Sequence, residues 1–209
     1  MWDIFLSITP IILSIVAIGI NVRQNRNSKR QNLFDRRLRL YLELLDFWKL
    51  YENNIRFLDQ LNPMSIEIEF SYITNSYNLY MLADIMKNPL DSTTKIMFLT
   101  SCEKMKKDAL ELKLVFGKKY VKCADFMENY VEMLQQFHRQ QVFIKSFDRQ
   151  NQQLIRKNQP LDLEYVEKKC MEFAKKEDGL LPSIQKIREL YEEIDKCNLL
   201  EKMEKEIKF

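Results

Sequence analysis

The sequence predicts an all-α protein in which a single N-terminal transmembrane helix continues into a cytoplasmic helical bundle, the whole assembled as an oligomer. Three observations predict it. Glycine occurs only 3 times in 209 residues, where average usage of about 7% would give roughly fifteen; tight hairpins, phosphate loops and nucleophile elbows all need glycine. Residues 4–22, "IFLSITPIILSIVAIGINV", are 19 consecutive uncharged positions, which at 1.5 Å per residue span roughly 28 Å, close to a bilayer's hydrocarbon thickness. Beyond them, apolar residues recur at helical spacing between Pro, Gly and Asp punctuation.

The first element is read as a retained membrane helix, residues 1–22. A cleaved signal peptide has a basic start and a small-x-small site; here the start is Met1, Trp2, Asp3 and the stretch runs into Asn21, Val22, Arg23. No Lys or Arg precedes residue 23, whereas Arg23, Arg26, Lys29 and Arg30 follow at once. The positive-inside rule therefore places the N-terminus outside and the bulk of the chain in the cytoplasm. Cys102, Cys123, Cys170 and Cys197 form no CxxC pair, and reduced thiols suit that compartment.

Residues 23–61 read as a basic juxtamembrane collar and a long helical stalk. Residues 23–39 hold seven basic groups against Asp35. Topology signalling and attraction to anionic lipid headgroups account for such a collar; several copies around a vestibule would also let Arg26, Lys29, Arg30, Arg36 and Arg37 bind phosphates. The stalk has apolar residues at Leu38, Leu42, Leu45 and Trp48, and no Pro or Gly separates it from the membrane segment after Gly19. The two fit one rod, about 85 Å long if continuous over residues 4–60.

Residues 62–209 read as the cytoplasmic helical domain. Asn62-Pro63 breaks the stalk. A second helix is expected over 64–87, although the alternation in "SIEIEF" equally fits a short strand. Asn88-Pro89 breaks again, Asp91 or Ser92 caps a third helix to Phe116, and Gly117 stops it. A fourth runs over 118–157; Asp162 caps a fifth, ending at Gly179; Pro182 and Ser183 open a sixth to about residue 207. Its tail places Ile194, Cys197, Leu200, Met203 and Ile207 on one side, a packing stripe against another helix or subunit.

The membrane segment carries a pattern of its own. Asp3, Ser7, Pro10, Ser14, Ala17, Asn21, Gln24, Ser28 and Gln31 recur in alternating steps of four and three. Every member of this heptad edge is small, polar or Pro. Lipid tails offer no partner for a hydroxyl or an amide. Facing sister helices, small residues permit close approach, and Ser or Asn can bond across the interface for about 0.6–2 kcal/mol each. Around a central axis the same edge would line a water-filled path, with Asp3 at the outer mouth and Gln24 at the inner one. Three readings stand: a plain anchor, an association seam, and a pore lined by Asp3, Ser7, Ser14, Ala17, Asn21 and Gln24. The period favours left-handed bundling, and the edge continues through Asp35, Leu38, Leu42 and Leu45.

Residues 104–122 hold seven Lys against Asp108 and Glu111, interleaved with aromatics. Lys118, Lys119 and Lys122 beside Phe116, Tyr120, Phe126 and Tyr130 match a single-strand-binding groove. The aromatics are also i,i+4 pairs that suit a bundle core. Residues 162–206 hold thirteen acidic groups against nine basic. No G-x-G-x-x-G, Walker loop, G-x-S-x-G or HExxH is present, so no enzyme activity or cofactor is expected. His138 is the only histidine, which makes a metal site unexpected, and its helical setting favours a structural role.

The run "LFDRRLRLYLELLDFW" supplies a hydrophobic-Phe-Asp-basic-Arg-x-x-x-Tyr pattern at Leu33, Phe34, Asp35, Arg36, Arg37 and Tyr41, and "ALELKLVFGKKYVKCADFM" an apolar-Phe-Gly followed by a helix. Over about a quarter of the chain this resembles a group of small bacterial membrane proteins. The layout is similar to that of Hailong-type anti-phage effectors, tetrameric channels held shut by single-stranded DNA oligomers and opened when phage activity removes them. The resemblance implies a single-pass protein of the bacterial inner membrane, a homo-oligomer, and a gating ligand that is single-stranded DNA or a nucleotide made by a partner nucleotidyltransferase. It transfers no ligand contact residue by residue. The competing expectation is a membrane-anchored helical adaptor that recruits a cytoplasmic protein without conducting ions.

Overall fold

The structure is a computed structural model that describes the backbone of residues 2–155 and 162–207, and the side chains of these residues except 2–12, 15 and 155. It is all-helical: α1 (Trp2–Asp59), α2 (Glu67–Ile73), a 3₁₀ turn (Tyr80–Ala83), α3 (Asp84–Lys87), α4 (Ser92–Phe116), a second 3₁₀ turn (Lys118–Tyr120), α5 (Val121–Ile155), α6 (Leu163–Ala174), α7 (Leu180–Lys196) and α8 (Leu199–Ile207). No strand occurs among the described residues, and "SIEIEF" ends in helix. The chain divides into two units, Met1–Arg39 and Leu40–Phe209.

In the first unit the described side chains are exposed, with Arg37 half-buried. Leu13, Val16, Ile18, Ile20 and Val22 are 49–63% exposed. Nothing within this segment of helix folds back to cover them.

The second unit is built around α5. Phe126, Met127, Tyr130, Val131, Met133, Leu134 and Phe137 are all fully buried, as expected of a helix surrounded by others. Helices α4, α6 and α7 pack against it. The C-terminal part of α1 closes another side: Trp48 stacks on Tyr191 of α7 at 4.2 Å and meets Phe126 at 5.4 Å, while Phe47 meets Tyr130 at 4.9 Å. The buried face of α1 therefore runs through Leu40, Leu44, Phe47, Tyr51 and Leu58. The expected stripe holds in its second half, where Leu45 packs against the core and Trp48 is buried, and fails in its first, where Leu38 and Leu42 are exposed. Helix spacing alone allows either face; the aromatic pairs with α5 and α7 select this one.

Local chemistry explains most boundaries. The Asp91 carboxylate accepts from Thr94 N–H at 2.8 Å and caps α4. Gly117, at φ 77°, ends it and returns its N–H to the Lys113 carbonyl. Asp162 caps α6 through Glu164 N–H at 2.9 Å. Other expectations are corrected. The single helix over 64–87 is broken at Thr74, where the side-chain hydroxyl donates to Phe70 O and the chain turns through Asn75 and Ser76. The fifth helix stops at Ala174 rather than reaching Gly179. The sixth begins at Leu180, with Pro182 inside its first turn, and splits at Asn198, which adopts φ 49° between α7 and α8. Ile194, Met203 and Ile207 of the tail stripe are buried in the chain's own core, while Cys197 is exposed.

Candidate functional site

The pore-lining set begins with Asp3 and Ser7, which lie outside the residues whose side chains are described, as does Pro10. Ser14, Ala17, Asn21 and Gln24 are all exposed on α1. Among the described residues no helix is long and apolar enough to cross a membrane; residues 4–12 and 15, half of the apolar stretch, fall outside that description. In the basic collar Arg26, Lys29, Arg30 and Arg36 are exposed and Arg37 is half-buried.

The middle lysines sit in a different setting from the one their sequence pattern suggests. Lys118 is exposed. Lys119 Nζ lies 2.7 Å from Glu206 Oε1 of α8, and the same oxygen accepts from the Tyr120 hydroxyl at 2.8 Å. Lys122 pairs with Glu193 of α7. The acidic C-terminal helices thus partly neutralise this basic patch. The aromatics between the lysines are core: Phe126 and Tyr130 are fully buried, and Tyr120 packs edge-on to Phe116 at 5.8 Å. They offer no stacking face to a base. The charge run survives as a surface feature and the aromatic half of the pattern does not.

A cleft that sequence reasoning missed lies between α4, α5 and α6. Its volume is about 450 Å³, and it is lined by Lys95, Leu99, His138, Arg139, Val142, Phe143, Ser146 and Phe173. Phe143 and Phe173 stack at 4.3 Å with their planes 7° apart, and both rings are half-buried. His138 is 7% exposed; its Nε2 is 3.0 Å from the Pro89 carbonyl and its ring lies 5.2 Å from Phe98. Burial holds the His138 pKa below its usual value; the Pro89 bond opposes this and the charges of Lys95 and Arg139 add to it. The Lys95–Leu99 and Arg139–Phe143 steps of four were visible in the sequence, but nothing local joins Phe143 to Phe173.

A second depression, between α5 and α7, is acidic. Asp125, Glu128, Glu132, Glu189 and Glu193 line it with Lys186 and Asn129. Among the described residues no group of His, Cys, Asp and Glu is arranged to hold a metal ion. The Cys102 and Cys123 thiols are pushed up to about 12 by burial, which leaves them unreactive at neutral pH. Comparison of the chain with protein-family models, with curated proteins and with solved structures found no match.

Proposed function

We propose that this chain is an oligomeric membrane effector of bacterial anti-phage defence, of the Hailong type. In this reading residues 1–22 span the inner membrane once, with the N-terminus outside and the C-terminal domain cytoplasmic. Sister copies, four in the resemblance, associate along the edge of Asp3, Ser7, Ser14, Ala17, Asn21 and Gln24 and enclose an ion-conducting path. A nucleic acid or nucleotide bound by the cytoplasmic domain gates it.

One observation supports this reading above others: the described apolar side chains of this stretch, Leu13, Val16, Ile18, Ile20 and Val22, are all uncovered on the helix. Removing each from water is worth about 1.5–3 kcal/mol, so such a surface calls for lipid or for other copies. Leu38 and Leu42, 36% and 55% exposed, leave the first part of the heptad edge's cytoplasmic continuation open to a sister chain, whereas Leu45 packs on the chain's own core. Gating then requires a ligand that prefers one arrangement of the assembly, by about 1.4 kcal/mol for each tenfold bias.

The test is an exchange of residues 4–22 for an unrelated membrane anchor, read by membrane potential in cells. Loss of depolarisation with the protein still in the membrane fraction is expected. Full activity would overturn the pore and favour the adaptor. The adaptor reading draws on the acidic groove between α5 and α7, a surface suited to a basic partner segment. Ser14→Leu and Asn21→Leu sharpen the same test: each is expected to insert normally and to abolish conductance.

A further inference from the structure

The cleft between α4, α5 and α6 brings cationic and aromatic side chains together in one hollow. Arg139 and Lys95 stand on facing helices at its rim. Lys95 makes no ion pair among the described residues. Arg139 has only a 3.9 Å contact with Asp178 between two side chains that are each more than half exposed, a pairing that solvent screens and a stronger anion would displace. The lysines at 119 and 122, in contrast, are held by carboxylates. The rest of the lining includes Leu99, Val142 and the stacked pair of Phe143 and Phe173, with Lys176 Nζ lying 4.8 Å from the Phe173 ring centroid. A volume of about 450 Å³ falls in the range of small-molecule sites.

We propose that this cleft binds a nucleotide, with its phosphate between Lys95 and Arg139 and its base against Leu99 and the exposed part of the Phe143–Phe173 stack. Cations and flat apolar surface lining one cleft match an anion carrying a planar aromatic group, and the volume suits one nucleotide, either free or at the end of a strand. The binding site stands on the cleft's own chemistry; its part in gating rests on the reading proposed above.

Because the chain has a single histidine and that residue lines the cleft, full-length protein in mild detergent, labelled at the histidine ring carbon, gives one NMR resonance placed at the site. The probes are AMP, a 5′-phosphorylated pentathymidylate, ribose 5-phosphate, adenosine and inorganic phosphate. AMP or the pentanucleotide is expected to shift the His138 resonance saturably, and to bind more tightly than the three probes that lack a base or a phosphate. Tighter binding by AMP marks a free nucleotide and tighter binding by the pentanucleotide a strand end; either supports the site. Lys95→Ala and Arg139→Ala, both exposed and neutral to folding by thermal melt, should each weaken binding about tenfold, the order of one charge-assisted hydrogen bond. The site is overturned if neither nucleotide moves the resonance, if ribose 5-phosphate binds as well as AMP, or if both variants bind like the parent. Gating is read separately. Should the double variant lose AMP yet leave membrane potential unchanged, the site stands and its link to the pore falls.

Discussion

Ile18 and Leu44 lie on the same helix, one in each unit, yet Ile18 is 62% exposed and Leu44 is fully buried. The difference is one of pattern. From Leu40 onward the large apolar residues Leu40, Leu44, Phe47, Tyr51 and Leu58 share one face, and polar residues such as Lys49, Glu52 and Arg56 occupy the other. A stripe of this kind fits a protein partner. Between residues 13 and 22 the exposed apolar residues Leu13, Val16, Ile18, Ile20 and Val22 spread over more than half of the helix circumference outside the edge of Ser14, Ala17 and Asn21, more than one face of a bundle satisfies. Apolar content therefore marks both segments, while its angular distribution separates the segment that builds a core from the one that stays uncovered.

Truncation should break the comparison most visibly. Phe126→Ala removes a fully buried ring packed against Trp48 and Tyr51 and is expected to cost about 3–5 kcal/mol in chemical unfolding. Ile18→Ala, on the uncovered segment, should change that same unfolding by less than about 0.5 kcal/mol. Comparable losses from the two would mean that the first unit has a folded partner in the second.

Glycine gives the next contrast. A methyl group at Gly179 would stand 2.6–2.9 Å from the carbonyl oxygens of Phe173, Ala174 and Lys176, whereas at Gly19 it would meet nothing within 4 Å. Gly179→Ala should destabilise by about 1–3 kcal/mol, because backbone must move. Gly19→Ala should instead strengthen the helix, by up to about 1 kcal/mol of propensity, with helicity by circular dichroism as the readout. A smaller effect is expected at Tyr130, whose buried hydroxyl donates to the Ile73 carbonyl at 2.7 Å. Tyr130→Phe should cost about 1 kcal/mol in urea midpoint, the usual loss of one such bond. An unchanged midpoint would place that carbonyl's partner elsewhere.

The punctuation of the fold was legible because it is local. Asp91, Gly117 and Asp162 act on residues within four positions, so their types and spacing announce them. Asn198 was not legible: "DKCNLLEK" holds no Gly or Pro, and a left-handed Asn depends on α8 finding Met203 and Ile207 a place in the core. The same limit hid the site. Lys119 and Lys122 carry carboxylate partners 87 and 71 residues away, and the cleft needs Phe173 of α6 against Phe143 of α5. Charge and aromatic counts see residue types, whereas pairing across the bundle decides which of them remain open to a ligand.

The smallest expected effect also separates the two units, since their one histidine is in the second. Burial holds the His138 pKa down, helped by Lys95 and Arg139 and opposed by the bond to Pro89. In the unfolded chain the imidazole titrates near its ordinary value of about 6.5. Below that pH the unfolded state binds a proton that the folded state refuses, so stability falls as pH drops from about 6.5 toward the lowered folded value, and is unaffected by this group above it. Urea midpoints measured from pH 7.5 down to pH 5 should therefore decline more steeply for the parent than for His138→Gln, which keeps a donor for the Pro89 carbonyl without the titration. A nucleotide phosphate held between Lys95 and Arg139 would offset their charges and flatten the parent's slope. Parallel slopes for parent and variant, with and without AMP, would mean that the imidazole meets water freely and that the cleft floor is not closed around it.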